Sequence, residues 1–279
     1  MLAVIAYLSA CLYLFLQQTH FIFIPSPVIQ ITPEFFNLGY QEVWLPVQAG
    51  NTTVERIHSW WIPAAQPDAK VLLYLHGNAI NIGANVTQAH QFHQLGFSVL
   101  LIDYRGYGRS EGGFPTEARV YQDAAAAWDY LVKERQLQPR QIFLYGHSLG
   151  GAIAIDLALQ HPDAAGLIVE SSFTSMREVV EEQGRFWMFP INLILNQRFD
   201  SISKVRSLQM PALFIHGTAD WKVPAQMSQQ LYNAAPEPKQ LVLVPGAGHN
   251  DVAEVAGSQY LQAVQHFVQQ VRMQQLTGS

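Results

Sequence analysis

The sequence predicts an α/β fold in which helices cover both faces of a mostly parallel central sheet, and three features of its 279 residues point there. Continuous apolar runs such as Val71-Leu72-Leu73-Tyr74-Leu75 recur along the chain, the pattern of strands buried on both faces. Stretches with helical spacing lie between them, and strand–helix alternation builds a parallel sheet. Several of these strands close on loops rich in Gly, His, Ser and Asp, at the carboxyl edge where open α/β sheets hold ligands.

The chain begins with a different kind of segment. Residues 1–16 carry no charge, with Ser9 and Cys11 as mild polar breaks, and Gln17-Gln18-Thr19-His20 separates them from Phe21-Ile22-Phe23-Ile24 and Pro25. As a helix, residues 1–16 reach about 24 Å against a hydrocarbon core of roughly 30 Å, and extension to Ile24 gives about 36 Å. A tilted single pass and a deeply seated monotopic helix both fit, so residues 1–24 are expected to anchor the chain to a membrane. Two alternatives stand beside this. A cleaved signal peptide lacks its basic n-region and a clean small-residue cleavage site here, although Leu8-Ser9-Ala10-Cys11 resembles a lipoprotein cleavage box. A helix packed on the globular domain is the other. The first Lys or Arg is Arg56, so the positive-inside rule has nothing to count and gives no orientation.

Residues 34–275 are expected to form one α/β domain. Residues 40–47 and 53–62 read as an antiparallel strand pair around a turn at Gly50-Asn51. The strand at 71–75 is followed by a helix that runs to Leu95 and ends at Gly96, then by a strand at 97–102 closed by Asp103. Val120, Tyr121, Ala124, Trp128, Leu131 and Val132 keep helical spacing, with Thr116 as N-cap behind Pro115. Strands at 142–145, 167–169, 212–215 and 241–244 alternate with helices at 151–160 and 225–232. The stripe Tyr260, Leu261, Val264, Phe267, Val268 and Val271 marks the last helix. Residues 172–210 break the rhythm, with no strand and an apolar centre at 186–195. A loop that long in a compact domain usually serves a site. A short helical cap over the sheet is expected, with an ordinary helix pair on the core as the alternative.

Composition narrows the partners. Charged residues make up 13% against a usual share of roughly 25%, and hydrophobic residues 49%. Such a chain has apolar surface to spare for lipid or a lipid-like ligand. The net charge is −5 and no Lys/Arg cluster occurs, so the basic footprint a nucleic-acid partner needs is missing. Cys11 is the single cysteine and no internal disulfide can form.

The chemistry centres on Gly146-His147-Ser148-Leu149-Gly150-Gly151. Gly-x-Ser-x-Gly between a buried strand and a helix makes a sharp turn that presents the serine oxygen at the sheet edge, and the flanking glycines leave room where a Cβ would collide. A serine hydroxyl needs a base within reach, and in such a fold acid and histidine follow in that order. Asp220 closes the strand at 212–215 through His216-Gly217-Thr218-Ala219, and His249 lies in the loop Pro245-Gly246-Ala247-Gly248 that closes the next strand. Ser148, Asp220 and His249 are therefore the expected nucleophile, acid and base. Glu170, also at a strand end, is the alternative acid. Two backbone N–H groups should form the oxyanion hole, that of Leu149 and one from His76-Gly77-Asn78-Ala79, with Asn78 favoured over Ala79.

Other residues take structural readings. His147 should point away from the nucleophile and serve packing, and His76 and His216 should brace loops. His90, His93, His161 and His266 fall on helix faces, and Asp103 should anchor the Tyr104-Arg105-Gly106 turn. Gly106, Gly108, Gly112 and Gly113 lack the Gly-x-Gly-x-x-Gly spacing of a dinucleotide site. No metal-ligand spacing occurs, so neither metal nor cofactor is expected.

Taken together, these segments resemble the membrane-anchored α/β-hydrolase-domain serine hydrolases. The likeness rests on the loops above, together with Asp103-Tyr104-Arg105-Gly106-Tyr107-Gly108-Arg109-Ser110-Glu111-Gly112 and Glu170-Ser171-Ser172-Phe173-Thr174. It implies the α/β-hydrolase fold, the Ser148–His249–Asp220 triad and the N-terminal anchor. The group holds acyl-thioesterases, lysophospholipid lipases and members resembling serine aminopeptidases. Its common loop reads His-Gly-Asn-Ala-Gly-Asn, where this chain has Ile80 before Asn81. The expected activity is hydrolysis of an ester or thioester, of carboxylesterase or thioesterase type, on a small-molecule or lipid-like acyl substrate. Peptide cleavage on the same triad is the alternative, and a non-catalytic membrane-tethered module the more distant one.

Overall fold

The structure is a computed structural model and describes residues 1–50 and 52–277. Its centre is an eight-stranded sheet. In chain order the strands are β1 (Gln41–Gln48), β2 (Val54–Ile62), β3 (Val71–Leu75), β4 (Ser98–Ile102), β5 (Ile142–His147), β6 (Gly166–Glu170), β7 (Ala212–Gly217) and β8 (Lys239–Val244). Across the sheet they run β8-β7-β6-β5-β3-β4-β2-β1. The first two form the expected antiparallel pair, and β2 also lies antiparallel to β4. Of the turn expected between them, Gly50 is described and Asn51 lies outside the described residues. The other pairings are parallel. The chain crosses from β3 to β4 on one side and returns to β5 on the other, so the order reverses at β3. Ligands in open α/β sheets gather beside such a reversal.

Alternate residues of the central strands feed two separate cores. Leu73, Leu75 and Leu144 face one helical layer, while Leu72, Tyr74, Phe143 and Tyr145 face the other. The first layer holds α3 (Glu117–Asp129), α4 (Leu149–Gln160) and α8 (Ala225–Ala234); the second holds α2 (Val86–Gln94) and, after the short α9 (Val252–Ala256), α10 (Ser258–Thr277). Burial on both faces is why these strands are continuously apolar. Thr116 caps α3 as expected, its hydroxyl accepting from Arg119 N at 3.3 Å. The helix expected from residue 151 starts earlier, at Leu149, with Ser148 itself in the N-cap position. The helical turn begins at the candidate nucleophile without an intervening loop.

Between β6 and β7 the chain forms three short helices and no strand: α5 (Met176–Glu182), α6 (Ile191–Ile194) and α7 (Ser201–Val205). The apolar N-terminal segment is α1 (Leu2–Ile22), a helix long and apolar enough to cross a membrane. Only Gln18 and Ile22 in it are buried. Its contacts run along the segment around α6. Tyr7 donates to Met188 O at 2.8 Å and stacks on Phe189. Gln18 donates to Ile194 O and accepts from Asn196 N and Gln197 N. The helix is thus docked along one face by specific bonds, and its remaining apolar surface is open.

Candidate active site

The turn from β5 into α4 carries Ser148 at φ 54°, ψ −118°, a backbone that L residues rarely adopt and that persists only where surroundings enforce it. The enforcement is visible in the glycines. A Cβ on Gly146 would sit 2.1 Å from Gly150 O, and one on Gly150 would sit 2.0 Å from Leu75 O. Three bonds hold the turn: Ser148 N donates to Glu170 O, and Ser148 O accepts from Gly151 N and from Ser172 Oγ.

The loops after β7 and β8 are bound to each other, because Gly217 allows an approach that a Cβ, 2.3 Å from Ala247 O, would block. Ala219 N donates to Ala247 O and Gly246 N to Thr218 Oγ1. This brings three residues from distant parts of the chain into line. His249 Nε2 lies 3.0 Å from Ser148 Oγ, and His249 Nδ1 lies 2.6 Å from Asp220 Oδ2. The second Asp220 oxygen accepts from Lys222 N and Val223 N. Burial works to raise the Asp220 carboxyl, but hydrogen bonds from His216 and His249, the charge of His249 and the Val223 N–H outweigh it, and the group is held well below the usual carboxylate range. A permanently ionised carboxylate behind an imidazole fixes its tautomer and stabilises its protonated form.

A family model described as serine aminopeptidase, S33, matches residues 65–203. The human α/β-hydrolase domain-containing protein 17B is 35% identical over 211 residues, covering 73% of this chain and 68% of its own. The chain belongs to the α/β-hydrolase-domain family. The uncharacterized protein Rv2307c of Mycobacterium tuberculosis is 35% identical over 269 residues, 95% of this chain and 93% of its own. Among solved structures, the Pyrococcus furiosus esterase Pf2001 superposes with a TM-score of 0.73 at 20% identity, over 89% of this chain and 98% of its own; at that identity the match speaks for the α/β-hydrolase fold.

In this α/β hydrolase Ser148 and His249 open into a cavity of about 420 Å³. Asn78 and Ile80 from the loop after β3 form part of its wall, as do Tyr74, Tyr145, Glu170, Gln88 and Gln91. The lining is more polar than the greasy composition suggests. Of the two expected oxyanion donors, Asn78 lies in this wall and Leu149 is the first residue of α4, where the helix N-terminus favours negative charge.

Glu170, the alternative acid, takes a different place. It is buried away from His249's carboxylate contact, and its Oε2 accepts from Tyr145 OH at 3.0 Å and Tyr260 OH at 2.6 Å. Gln88 Nε2 in turn donates to Tyr260 OH. His147 departs from the expectation that it points away. Its ring packs 5.1 Å from that of His249, and its Nε2 donates to His249 O at 3.0 Å. It lies against the loop after β8, where it braces the histidine. His76 does brace a loop, its Nδ1 donating to Gly77 O. The Asp103 carboxylate, expected at the Tyr104-Arg105-Gly106 turn, holds the loop after β3 instead by accepting from Ile82 N, and Arg105 N in that turn is held by Asp123. His216 does more than brace, since its Nε2 lies 3.1 Å from the same Asp220 oxygen that His249 reaches. Its one signal was the spacing His216-x-x-x-Asp220, which says nothing by itself about which way either ring or carboxylate turns.

Ile80 answers the departure from the family loop. It takes φ 69°, the left-handed region that suits glycine, with its side chain half exposed. The loop therefore keeps a glycine-like backbone without the glycine.

Proposed function

We propose that this chain is a serine hydrolase that cleaves an ester or thioester through an acyl-enzyme. The observation that carries the reading is the relay of two short contacts, Ser148 Oγ to His249 Nε2 and His249 Nδ1 to Asp220 Oδ2. His249 takes the Ser148 proton as Oγ attacks the acyl carbonyl, and the Asn78 and Leu149 amides hold the oxyanion. Collapse expels the alcohol or thiol, which leaves with the proton from His249. Water, deprotonated by His249, then cleaves the acyl-serine and restores the hydroxyl. No metal or cofactor enters these steps.

The membrane is the proposed workplace. A 21-residue apolar helix with nearly all its surface open supports an anchor at residues 1–24, ahead of a hydrolase domain at 34–275. The segment 172–210 carries α1 on its α6 side and lies outside the lining of the Ser148 cavity, so its role is to seat the anchor beside the domain. A lipid-like acyl group drawn from the bilayer fits that arrangement. Fluorophosphonate labelling and turnover of p-nitrophenyl esters, both lost in Ser148→Ala, are the expected results; labelling that survives the substitution refutes the assignment.

A second reading rests on the polar lining. Glu170 and Glu254 both face the cavity, and a carboxylate there would receive the amino terminus of a peptide, in keeping with the family model's description. Aminoacyl p-nitroanilides hydrolysed faster than matched p-nitrophenyl esters would favour it.

A further inference from the structure

The segment that leaves α1 is hydrogen-bonded to the loop expected to hold the oxyanion. Ile22 O is one of the carbonyls that a helix C-terminus leaves without an internal partner, and Asn78 Nδ2 donates to it at 2.7 Å. Two residues on, Ile24 N donates to Asn78 O at 2.9 Å. Residues 24–25 pair in parallel with residues 79–80, and Ser26 N donates to Ile80 O at 2.8 Å. Asn81 Nδ2 completes the seam by donating to Ser26 O. Phe23, buried, pins the segment to the core against Phe199.

These bonds act on the direction of the loop amides. In a trans peptide the N–H points opposite to the carbonyl of the same plane, so a held carbonyl aims the N–H of the next residue, Ala79 for Asn78 O and Asn78 for Gly77 O. Asn78 O is held from two sides, by Ile24 N and by Tyr107 OH at 2.6 Å, which fixes the Asn78–Ala79 plane. Gly77 O is held by His76 Nδ1 at 2.7 Å, which fixes the Gly77–Asn78 plane and with it the Asn78 N–H. The Asn78 side chain, tied to Ile22 O, locks the residue between the two planes. The loop after β3 is bound along its length by a two-residue strand from the N-terminal segment.

We propose that residues 22–26 are a positioning element of the oxyanion hole, so that the apolar N-terminal helix contributes to turnover as well as to attachment. Asn78, through its side chain on Ile22 O and its carbonyl under Ile24 N, is the positioning residue that joins the two, with the Tyr107 hydroxyl steadying the same carbonyl. The inference rests on the hydrolase reading above. It assigns to α1 a role that a simple tether does not have: a shift of its last turn is passed through the bonds of Ile22 O and Ile24 N to Asn78, the residue that offers its N–H to the oxyanion.

The test uses the full chain in detergent micelles, with p-nitrophenyl acetate as substrate and a phenylboronic acid as transition-state analogue. Turnover that vanishes in Ser148→Ala is established first; its absence from the wild type would fell the hydrolase reading itself. Asn78→Ala keeps the backbone N–H and removes only the bond to Ile22 O. Tyr107→Phe removes only the hydroxyl on Asn78 O. Losing an oxyanion donor costs about 10² to 10³ in rate, so misaiming one should lower kcat by about tenfold or more. KM should stay within about twofold, and boronate affinity should fall in step with kcat. A merely structural role would lower the melting temperature and leave kcat per folded molecule and boronate affinity alone. Should Asn78→Ala fail to fold, Asn78→Leu, of nearly the same size and with no donor for Ile22 O, decides. Wild-type kcat and boronate affinity in the folded variants would overturn the proposal while leaving the hydrolase reading standing.

Discussion

His216 and His249 share one oxygen of Asp220: Nε2 of the first lies 3.1 Å from Oδ2 and Nδ1 of the second 2.6 Å. His216 also donates from Nε2 to Val223 O at 2.9 Å, and its Nδ1 accepts from Ser228 Oγ at 2.6 Å. The ring is wholly buried, so the carboxylate is gripped from behind by a group that cannot swing away. Removing that grip leaves Oδ2 of Asp220 held by His249 alone, with only Oδ1 still tied to Lys222 N and Val223 N. His216→Phe should lower kcat on a p-nitrophenyl ester about tenfold or more at nearly constant KM, because the lost quality is orientation of the base. Steady-state kinetics on the folded variant checks this. An unchanged kcat would reduce His216 to a packing residue.

Ile80 sits at φ 69°, where a β-branched residue is strained by roughly 1–3 kcal/mol. Its side chain is half exposed, so little burial is lost on removing it. Ile80→Gly should therefore stabilise the fold by about 1 kcal/mol, after the added freedom of glycine in the unfolded chain is set against the relieved strain. Urea unfolding at neutral pH gives the sign. A destabilised variant would mean that Ile80 packs at the cavity mouth more firmly than its exposure indicates.

These two cases mark the border of what the sequence makes legible. The central strands could be read because burial on both faces demands continuous apolar runs, as in Val71–Leu75. Ser148, Asp220 and His249 could be placed at strand ends because each follows an apolar strand, and the glycines at 146 and 217 record close backbone approaches there. The grip of His216 on Asp220 depends on rotamers, and rotamers leave no mark in a residue pattern. The seam between residues 22–26 and 78–81 joins segments more than fifty positions apart, and polar pairs at that distance have no periodicity. The bond from His147 to His249 O likewise depends on a rotamer and leaves no mark in the residue pattern. Tyr145, Glu170 and Tyr260 come from two strands and the last helix, and each looks like ordinary core or strand-end composition until the sheet is assembled.

His147 carries a stability prediction. Burial and the neighbouring His249 charge push its imidazole down to about 4, although the His249 carbonyl favours the protonated form. An unfolded histidine titrates near 6.5. The folded state therefore refuses a proton that the unfolded state takes up, and the stability held above pH 6.5 is lost as the pH falls toward 4. The loss is roughly 2–3 kcal/mol. His147→Gln keeps a donor for His249 O and has nothing to titrate. Unfolding free energies measured between pH 4 and 7 should slope less steeply in the variant than in the wild type. Parallel slopes would place the acid sensitivity in other groups.

Glu170 runs the opposite way and also separates the two functional readings. Burial pushes its carboxyl up, against the hydrogen bonds from Tyr260 and Tyr145 and the charge of His216, which pull it down. A raised acid is favoured in its protonated form by the folded state, so its contribution is complete at low pH and disappears as the pH rises through the folded-state value. Glu170→Gln keeps an acceptor oxygen for both tyrosine hydroxyls and carries no charge at any pH. The variant should gain stability over the wild type at pH 7 to 8, by about 1.4 kcal/mol for each unit by which the carboxyl is raised, and the gap should close near pH 4. Activity adds the second readout. If the cavity receives an ammonium group, Glu170→Gln should cut hydrolysis of an aminoacyl p-nitroanilide by about tenfold or more through KM and spare an uncharged p-nitrophenyl ester. If the acyl group is neutral, both substrates should be hydrolysed at close to wild-type rates, and a loss confined to the neutral ester would contradict both readings of the Glu170 wall.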